Sequence, residues 1–142
     1  MKKIIIKPHL FFFGLVPIFV VIGVFNLKNY INLNIDYLNF DLSISLLCNI
    51  SAVFFLLIGF NYYALLWVQK EPKKPLTIAH IILQLISLIP FILLIFSINF
   101  SKNNFSIFTN TNLILIISFI IFLISVFVHL INFFTSLFLK SK

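Results

Sequence analysis

Histidine, amide and hydroxyl side chains recur at helical spacing in two apolar segments of this 142-residue chain. In residues 76–98, His80, Gln84 and Ser87 fall on one helical face, because they are spaced four and three residues apart. In residues 113–139 a second set follows the same rule: Ser118, Ser125, His129, Asn132 and Ser136. Such side chains could line a hydrated path for a solute or, through paired imidazoles, ligate a haem iron.

These polar residues admit a structural and a functional interpretation. Polar side chains avoid lipid, so both sets should face a bundle interior, where bonding to one another would hold helices together. The small number of polar residues favours this structural interpretation. The functional alternative is a small hydrated site in the cytoplasmic half, with a candidate polar cluster of His80, Gln84, His129 and Asn132.

A haem held between the two histidines is disfavoured by their depths. Helical rise puts His80 ~6 Å inside its segment and His129 ~15 Å inside the other. Axial ligands must nearly face each other across one iron, and an offset of ~9 Å argues against that. We therefore expect no cofactor and no metal.

Ordinary enzyme classes are also unexpected. The apolar segments contain no Asp, Glu, Lys or Arg in their cores, whereas a proton-coupled exporter normally needs an intramembrane carboxylate. The chain has no phosphate-binding loop, metal-spaced Cys/His cluster or nucleophile elbow. Cys48 is the single cysteine, so no disulfide framework exists.

The elements that position these residues are membrane helices. The chain is 62% hydrophobic and 9% charged, where soluble domains carry about 25% charged residues. We predict a single all-α integral membrane domain of four antiparallel transmembrane helices, residues 10–27, 42–68, 76–98 and 113–139. Residues 10–27 could instead be a signal peptide, but no small-x-small cleavage site follows them, which favours an uncleaved span.

The lysines predict the orientation. Eight lie at the head, in the central QKEPKKP turn and at the tail, and two lie in the remaining loops. By the positive-inside rule both termini are cytoplasmic, which predicts a multi-pass protein of a bacterial-type cytoplasmic membrane rather than a nucleic-acid-binding protein. Tyr62, Tyr63 and Trp67 are interpreted as an interfacial aromatic belt. Within the loop of residues 28–41, residues 31–36 alternate apolar and polar side chains, but an unpartnered strand is unstable, so we expect little regular sheet.

Two faces of the second span carry further signals. Ser45, Cys48, Asn49 and Ala52 share one face, and their small side chains predict close packing of another helix. Counting from Asp36, the residues Ala-Val-Phe at 52–54 and then Gly59 and Phe60 follow at fixed spacing.

The stretch from Asp36 to Phe60 resembles subunit I of haem-copper respiratory oxidases. In that family an Asp-Thr-Tyr turn precedes a helix opening Ala-His-Phe-His, followed by the same Ala-Val-Phe and Gly-Phe. Ser43 and Ser45 stand where the family has its haem-ligating histidines, and a hydroxyl cannot replace an imidazole on iron. The four spans would correspond to the family's last four helices, without haem or copper ligands.

The resemblance implies a small non-catalytic relative of the oxidase subunit, associated with respiratory membrane subunits or with itself. The alternatives are a transporter or channel component with a polar path at His80 and His129, or a membrane scaffold without a small-molecule site. The bilayer is the one partner that the composition requires.

Overall fold

Four long helices make up most of the chain. The computed structural model describes residues 7–35, 38–100 and 111–138, with side chains over 7–31, 41–95 and 113–138. The helices are α1 (Pro8–Phe25), α2 (Ile44–Trp67), α3 (Lys74–Phe100) and α4 (Thr111–Phe138). Each is long and apolar enough to cross a membrane, which confirms the four predicted spans and indicates a multi-pass membrane protein.

The helix boundaries differ from the predicted ones by a few residues. α1 ends at Phe25 instead of residue 27, and α2 begins at Ile44 instead of residue 42. Both α3 and α4 begin two residues earlier than predicted. At the other end of α2, Gln69 adopts a left-handed φ of 56°, so the backbone N–H groups of Gln69 and Lys70 bond back into the last turn. Local capping rather than apolarity therefore sets the end of α2.

The loop between α1 and α2 contains a two-stranded antiparallel sheet, so the prediction of little regular sheet was wrong. Strand β1 (Tyr30–Ile35) pairs with β2 (Leu38–Ser43), with Tyr30 opposite Ser43 and Ile35 opposite Leu38. The alternating residues were interpreted as a single strand. Residues 38–41 were left in the loop and residues 42–43 were assigned to the next helix, so the second strand was not recognised. The sheet is tied to the bundle, since Ile44 N donates to Asn29 O at 3.1 Å and Ile31 is buried.

Packing is closest within two helix pairs, α1 with α2 and α3 with α4. The α1/α2 pair uses the predicted small-residue face, on which Ser45, Cys48 and Ala52 are buried. A Cβ on Gly23 would lie 3.3 Å from Cys48 Cβ, a tight contact that would push the neighbouring helix away by a few tenths of an ångström. Asn49 was predicted on this face but is exposed; only its Oδ1 atom lies beside Gly23.

Large rings join the two pairs. Phe12 of α1 stacks on Tyr62 of α2 and on His80 of α3, with ring centroids 5.7 and 4.8 Å apart. Further along, Phe19 of α1 stacks on Phe91 of α3 at 6.3 Å. These contacts place His80 directly against the apolar core of the first pair.

The outer surface is apolar on all four helices, whereas many polar side chains are buried between them. Large exposed side chains such as Val53, Ile89 and Phe127 are each more than half exposed. A water-soluble protein would not expose so continuous an apolar surface, and lipid accommodates it without penalty. The distribution therefore fits a bundle whose solvent is the bilayer.

Candidate functional site: a buried polar seam

The four residues of the predicted polar cluster come together where α2, α3 and α4 meet. Their side chains are fully buried, with 0% exposure for His80, Gln84 and Asn132 and 1% for His129. Together with the buried polar residues that bond to them they form what we call the polar seam: Tyr62, Thr77, His80, Gln84, Ser125, His129 and Asn132.

One end of the seam is closed by Asn132. Its Oδ1 accepts from the backbone N of Lys73 at 2.9 Å, and its Nδ2 donates to Thr77 Oγ1, also at 2.9 Å. The first of these bonds satisfies a backbone donor at the start of α3 that has no partner within that helix. Asn132 thus holds the start of α3 against α4, which is the structural role foreseen for these stripes.

His80 and His129 are neighbours, so the predicted depth offset of ~9 Å between them was wrong. Their ring centroids lie 4.9 Å apart with planes tilted by 32°. Measured from Lys74 and Phe138, where the helices begin and end, His80 and His129 differ in depth by only ~4.5 Å of helical rise. Tilt and ring size close that gap. Rings in van der Waals contact leave no space for a macrocycle between them.

Each histidine has one ring nitrogen bonded to a residue of α2 that the sequence analysis did not place in the site. Tyr62 Oη lies 2.9 Å from His80 Nδ1, and Asn61 Nδ2 lies 3.2 Å from His129 Nε2. Tyr62 was predicted in the aromatic belt, but it is 2% exposed and belongs to the seam. The available signal was helical spacing, since Tyr62 continues the buried face of Cys48, Ala52, Phe55 and Gly59 in steps of four and three.

The centre of the seam is incompletely bonded. Ser125 Oγ lies 3.3 Å from His80 O and 3.2 Å from Gln84 Oε1, and so links α4 to α3. Among the side chains that the structure describes, four buried atoms have no hydrogen-bond partner: His80 Nε2, Gln84 Nε2, His129 Nδ1 and Ser118 Oγ. An unpartnered buried polar atom costs ~1–3 kcal/mol, and three of these four belong to the seam, where the His80 and His129 rings are in contact.

The arrangement can bind a small polar species through neutral side chains. In the part of the chain that the structure describes, no group of three or more His, Cys, Asp or Glu side chains is placed to hold a metal ion. The seam therefore offers hydrogen bonds rather than a coordination sphere. Ser87, Ser118 and Ser136 extend it as buried members of the two predicted stripes.

The residues singled out by the family resemblance lie elsewhere. Ser43 is the N-cap of α2, where its Oγ accepts from Leu46 N at 3.4 Å, and Ser45 is buried on the α1/α2 face. Gly59 lies under Phe13, whose ring atoms would be 2.5 and 2.6 Å from a Cβ at that position. Asp36 lies outside the described residues. Capping and packing account for the three residues that can be described.

Comparison of the chain with protein-family models, curated proteins and solved structures finds no match. The resemblance to the oxidase subunit therefore stays a prediction that rests on residues 36–60.

Proposed function

We propose that this chain is a small multi-pass membrane protein that conducts a small polar solute along the polar seam, as a transporter or channel component. The observation that carries the proposal is the length of the polar stripe on α4. From Ser118 to Ser136 the helix rises ~27 Å, close to the ~30 Å hydrocarbon thickness of a bilayer. Its five polar residues are all at most 7% exposed.

The facing helix supports the proposal, because Thr77, His80, Gln84 and Ser87 of α3 are buried opposite this stripe. A scaffold needs only enough polar contacts to hold its helices, and each of those contacts should be satisfied. Unpartnered buried atoms at the centre of the stripe lower the stability of the fold and do not hold helices together. A path for a solute explains both the length of the stripe and its unfilled bonds.

The proposed topology has four antiparallel helices with both termini cytoplasmic, in a bacterial-type cytoplasmic membrane. Support comes from the lysine asymmetry of eight against two. The end of the seam that Asn132 closes would then face the cytoplasmic side. Reporter fusions after Lys142 and at Pro72 should report cytoplasm and fusions near Lys102 the outside; an outward C-terminus would contradict this topology.

Flux through proteoliposomes tests the function. Purified protein is reconstituted, and permeation of a neutral solute (glycerol), of K⁺ and of chloride is compared with protein-free liposomes. We expect at least one permeability to rise and to fall again in Ser125→Leu, which fills the seam with an apolar side chain. Ser51→Leu is the matched control, because Ser51 Oγ bonds only within its own helix, to Leu47 O at 2.8 Å.

The results separate the alternatives. Equal flux in Ser125→Leu and wild type would show that the solute does not use the seam. No flux of any solute would favour the scaffold interpretation. Ancestry from an oxidase subunit is an independent proposal, and co-purification of respiratory oxidase subunits with the tagged chain tests it directly.

A further inference from the structure

The hydrogen-bond partners of the two histidines favour one tautomer of each ring. Asn132 Nδ2 donates to Tyr62 Oη at 3.4 Å, so the tyrosine hydroxyl is free to donate its own proton. When the hydroxyl donates to His80 Nδ1, 2.9 Å away, neutral His80 carries its proton on Nε2. Asn61 Nδ2 is an amide donor facing His129 Nε2 at 3.2 Å, which places the proton of neutral His129 on Nδ1.

The three unpartnered nitrogens at the centre of the seam are therefore all donors. His80 Nε2–H and His129 Nδ1–H belong to rings in contact, and the Gln84 amide is held one turn along α3 from His80. Gln84 Oε1 accepts from Ser125, which leaves its Nε2–H₂ group unpaired. Three buried donors without an acceptor match a ligand that only accepts hydrogen bonds.

The charges around the seam favour an anion over a cation or a neutral acceptor. The sequences of the four helices contain no Asp or Glu, so a cation would find no counter-charge within them. At the Asn132 end, Lys70 and Lys73 lie in the α2–α3 connection and Lys74 begins α3. These three lysines outnumber the exposed Glu71 of that connection. Clustered lysines raise the local concentration of anions, whereas they give a neutral solute no advantage.

We propose that the polar seam binds a small monovalent anion between His80 Nε2–H, His129 Nδ1–H and the Gln84 amide. This rests on the proposed function and names its substrate class. The surrounding rings of Phe12 and Tyr62 exclude bulk water, so these three donors would replace part of the anion's hydration shell. Ser118 lies two turns of α4 beyond Ser125 and offers the next α4 hydroxyl on the path.

Selectivity in proteoliposomes tests this inference. Chloride efflux from KCl-loaded vesicles into glutamate medium is followed with a chloride electrode, with valinomycin as the charge shunt. K⁺ flux is measured in chloride-free glutamate vesicles with a proton carrier, and glycerol entry by light scattering. We expect chloride and nitrate to permeate at least tenfold faster than in protein-free vesicles, while K⁺ and glycerol stay within twofold of them.

Gln84→Glu replaces the amide donor by an acceptor of the same shape and should lower chloride flux at least tenfold. Gln69→Glu is the matched control, because it makes the same change at the only other glutamine, which is exposed in the α2–α3 connection; it should change flux less than twofold. A second measurement does not depend on any variant folding. Chloride, but not glutamate, should shift the side-chain ¹⁵N resonances of His80 and His129 in labelled wild-type protein.

Each outcome decides a different point. K⁺ or glycerol flux without chloride flux would overturn the anion site and leave the conduction function standing. A chloride-dependent histidine shift without flux of any solute would support the anion site and overturn conduction. Neither flux nor shift would reject both.

Discussion

The two helix pairs of this protein are held together in different ways. At the α1/α2 interface, small residues bring the backbones together, as at Gly23 against Cys48. At the α3/α4 interface, Ser125 and Asn132 reach across by hydrogen bonds, and buried donors remain unpaired beside them. In lipid, apolar surface gives helices little reason to associate, so either close packing or hydrogen bonding must do it.

The difference separates the part that holds the fold from the part available for function. A packed interface loses stability with any change of shape, because its neighbours cannot yield. A polar interface with unpaired donors is less stable than it could be, and sites kept below their stability optimum are typical of function. Substitutions that affect the two interfaces differently test this division.

Overpacking the first interface should have the largest effect on stability. Ala52 is 5% exposed and lies on the face of α2 that packs against α1. Ala52→Leu adds three carbons there and should lower the free energy of unfolding by ~1–3 kcal/mol. A steric-trap unfolding assay in detergent or bicelles measures the change. Val53→Leu, at the next residue but 55% exposed, is the control and should be neutral. A neutral Ala52→Leu would mean that packing does not dominate this interface.

The closed end of the seam should come next. Asn132→Ala removes two bonds of 2.9 Å, to Lys73 N and Thr77 Oγ1, and the longer bond of 3.4 Å to Tyr62 Oη. Bonds of this kind average ~0.6 kcal/mol in membrane proteins, with ~1.7 as the ceiling, so a loss of ~1–2 kcal/mol is expected in the same assay. Asn49→Ala makes the same change at an exposed position of α2 and should cost less. Equal losses would show that Asn132 does not join α3 to α4.

Removing one histidine should matter less to stability than either change above. His129→Leu keeps most of the side-chain volume and deletes the single bond to Asn61 at 3.2 Å, for an expected loss of ~0.6 kcal/mol. The same variant should abolish solute flux. If His129→Leu destabilises the protein more than Ala52→Leu does, hydrogen bonding rather than packing dominates the stability of the fold. The α1/α2 interface would then not be the one that holds the fold together.

The sequence predicted more of the first interface than of the second. Small residues at helical spacing identified Ser45, Cys48 and Ala52, because close approach depends on residue size alone. Apart from Thr77, spacing also identified the members of the seam on α3 and α4, since each stripe lies on one helix. It missed Tyr62 and Asn61, because a tyrosine near a helix end fits both an aromatic belt and a core. It also misjudged the distance between His80 and His129, which depends on the tilt and register of two helices.

The smallest expected change in stability, and the most informative one, concerns the centre of the seam. Gln84→Met with Ser125→Ala replaces both partners of the 3.2 Å bond by apolar side chains and also removes the unpaired Gln84 amide. Replacing both members of a buried bond is nearly neutral or stabilising, so unfolding should change by less than ~0.5 kcal/mol.

The single variants complete the test of that pair. Ser125→Ala alone leaves Gln84 Oε1 without a hydrogen-bond donor, beside the already unpaired Nε2. It should lower the free energy of unfolding by ~1 kcal/mol or more. Gln84→Met alone leaves Ser125 bonded to His80 O and should cost less. The double variant should therefore be more stable than Ser125→Ala, a non-additivity that a double-mutant cycle measures. Its solute flux should nevertheless be lost, since the amide donor is gone. A double variant that unfolds would make the seam a structural necessity equal to the α1/α2 interface, whereas one that folds normally and conducts normally would place the path outside the seam.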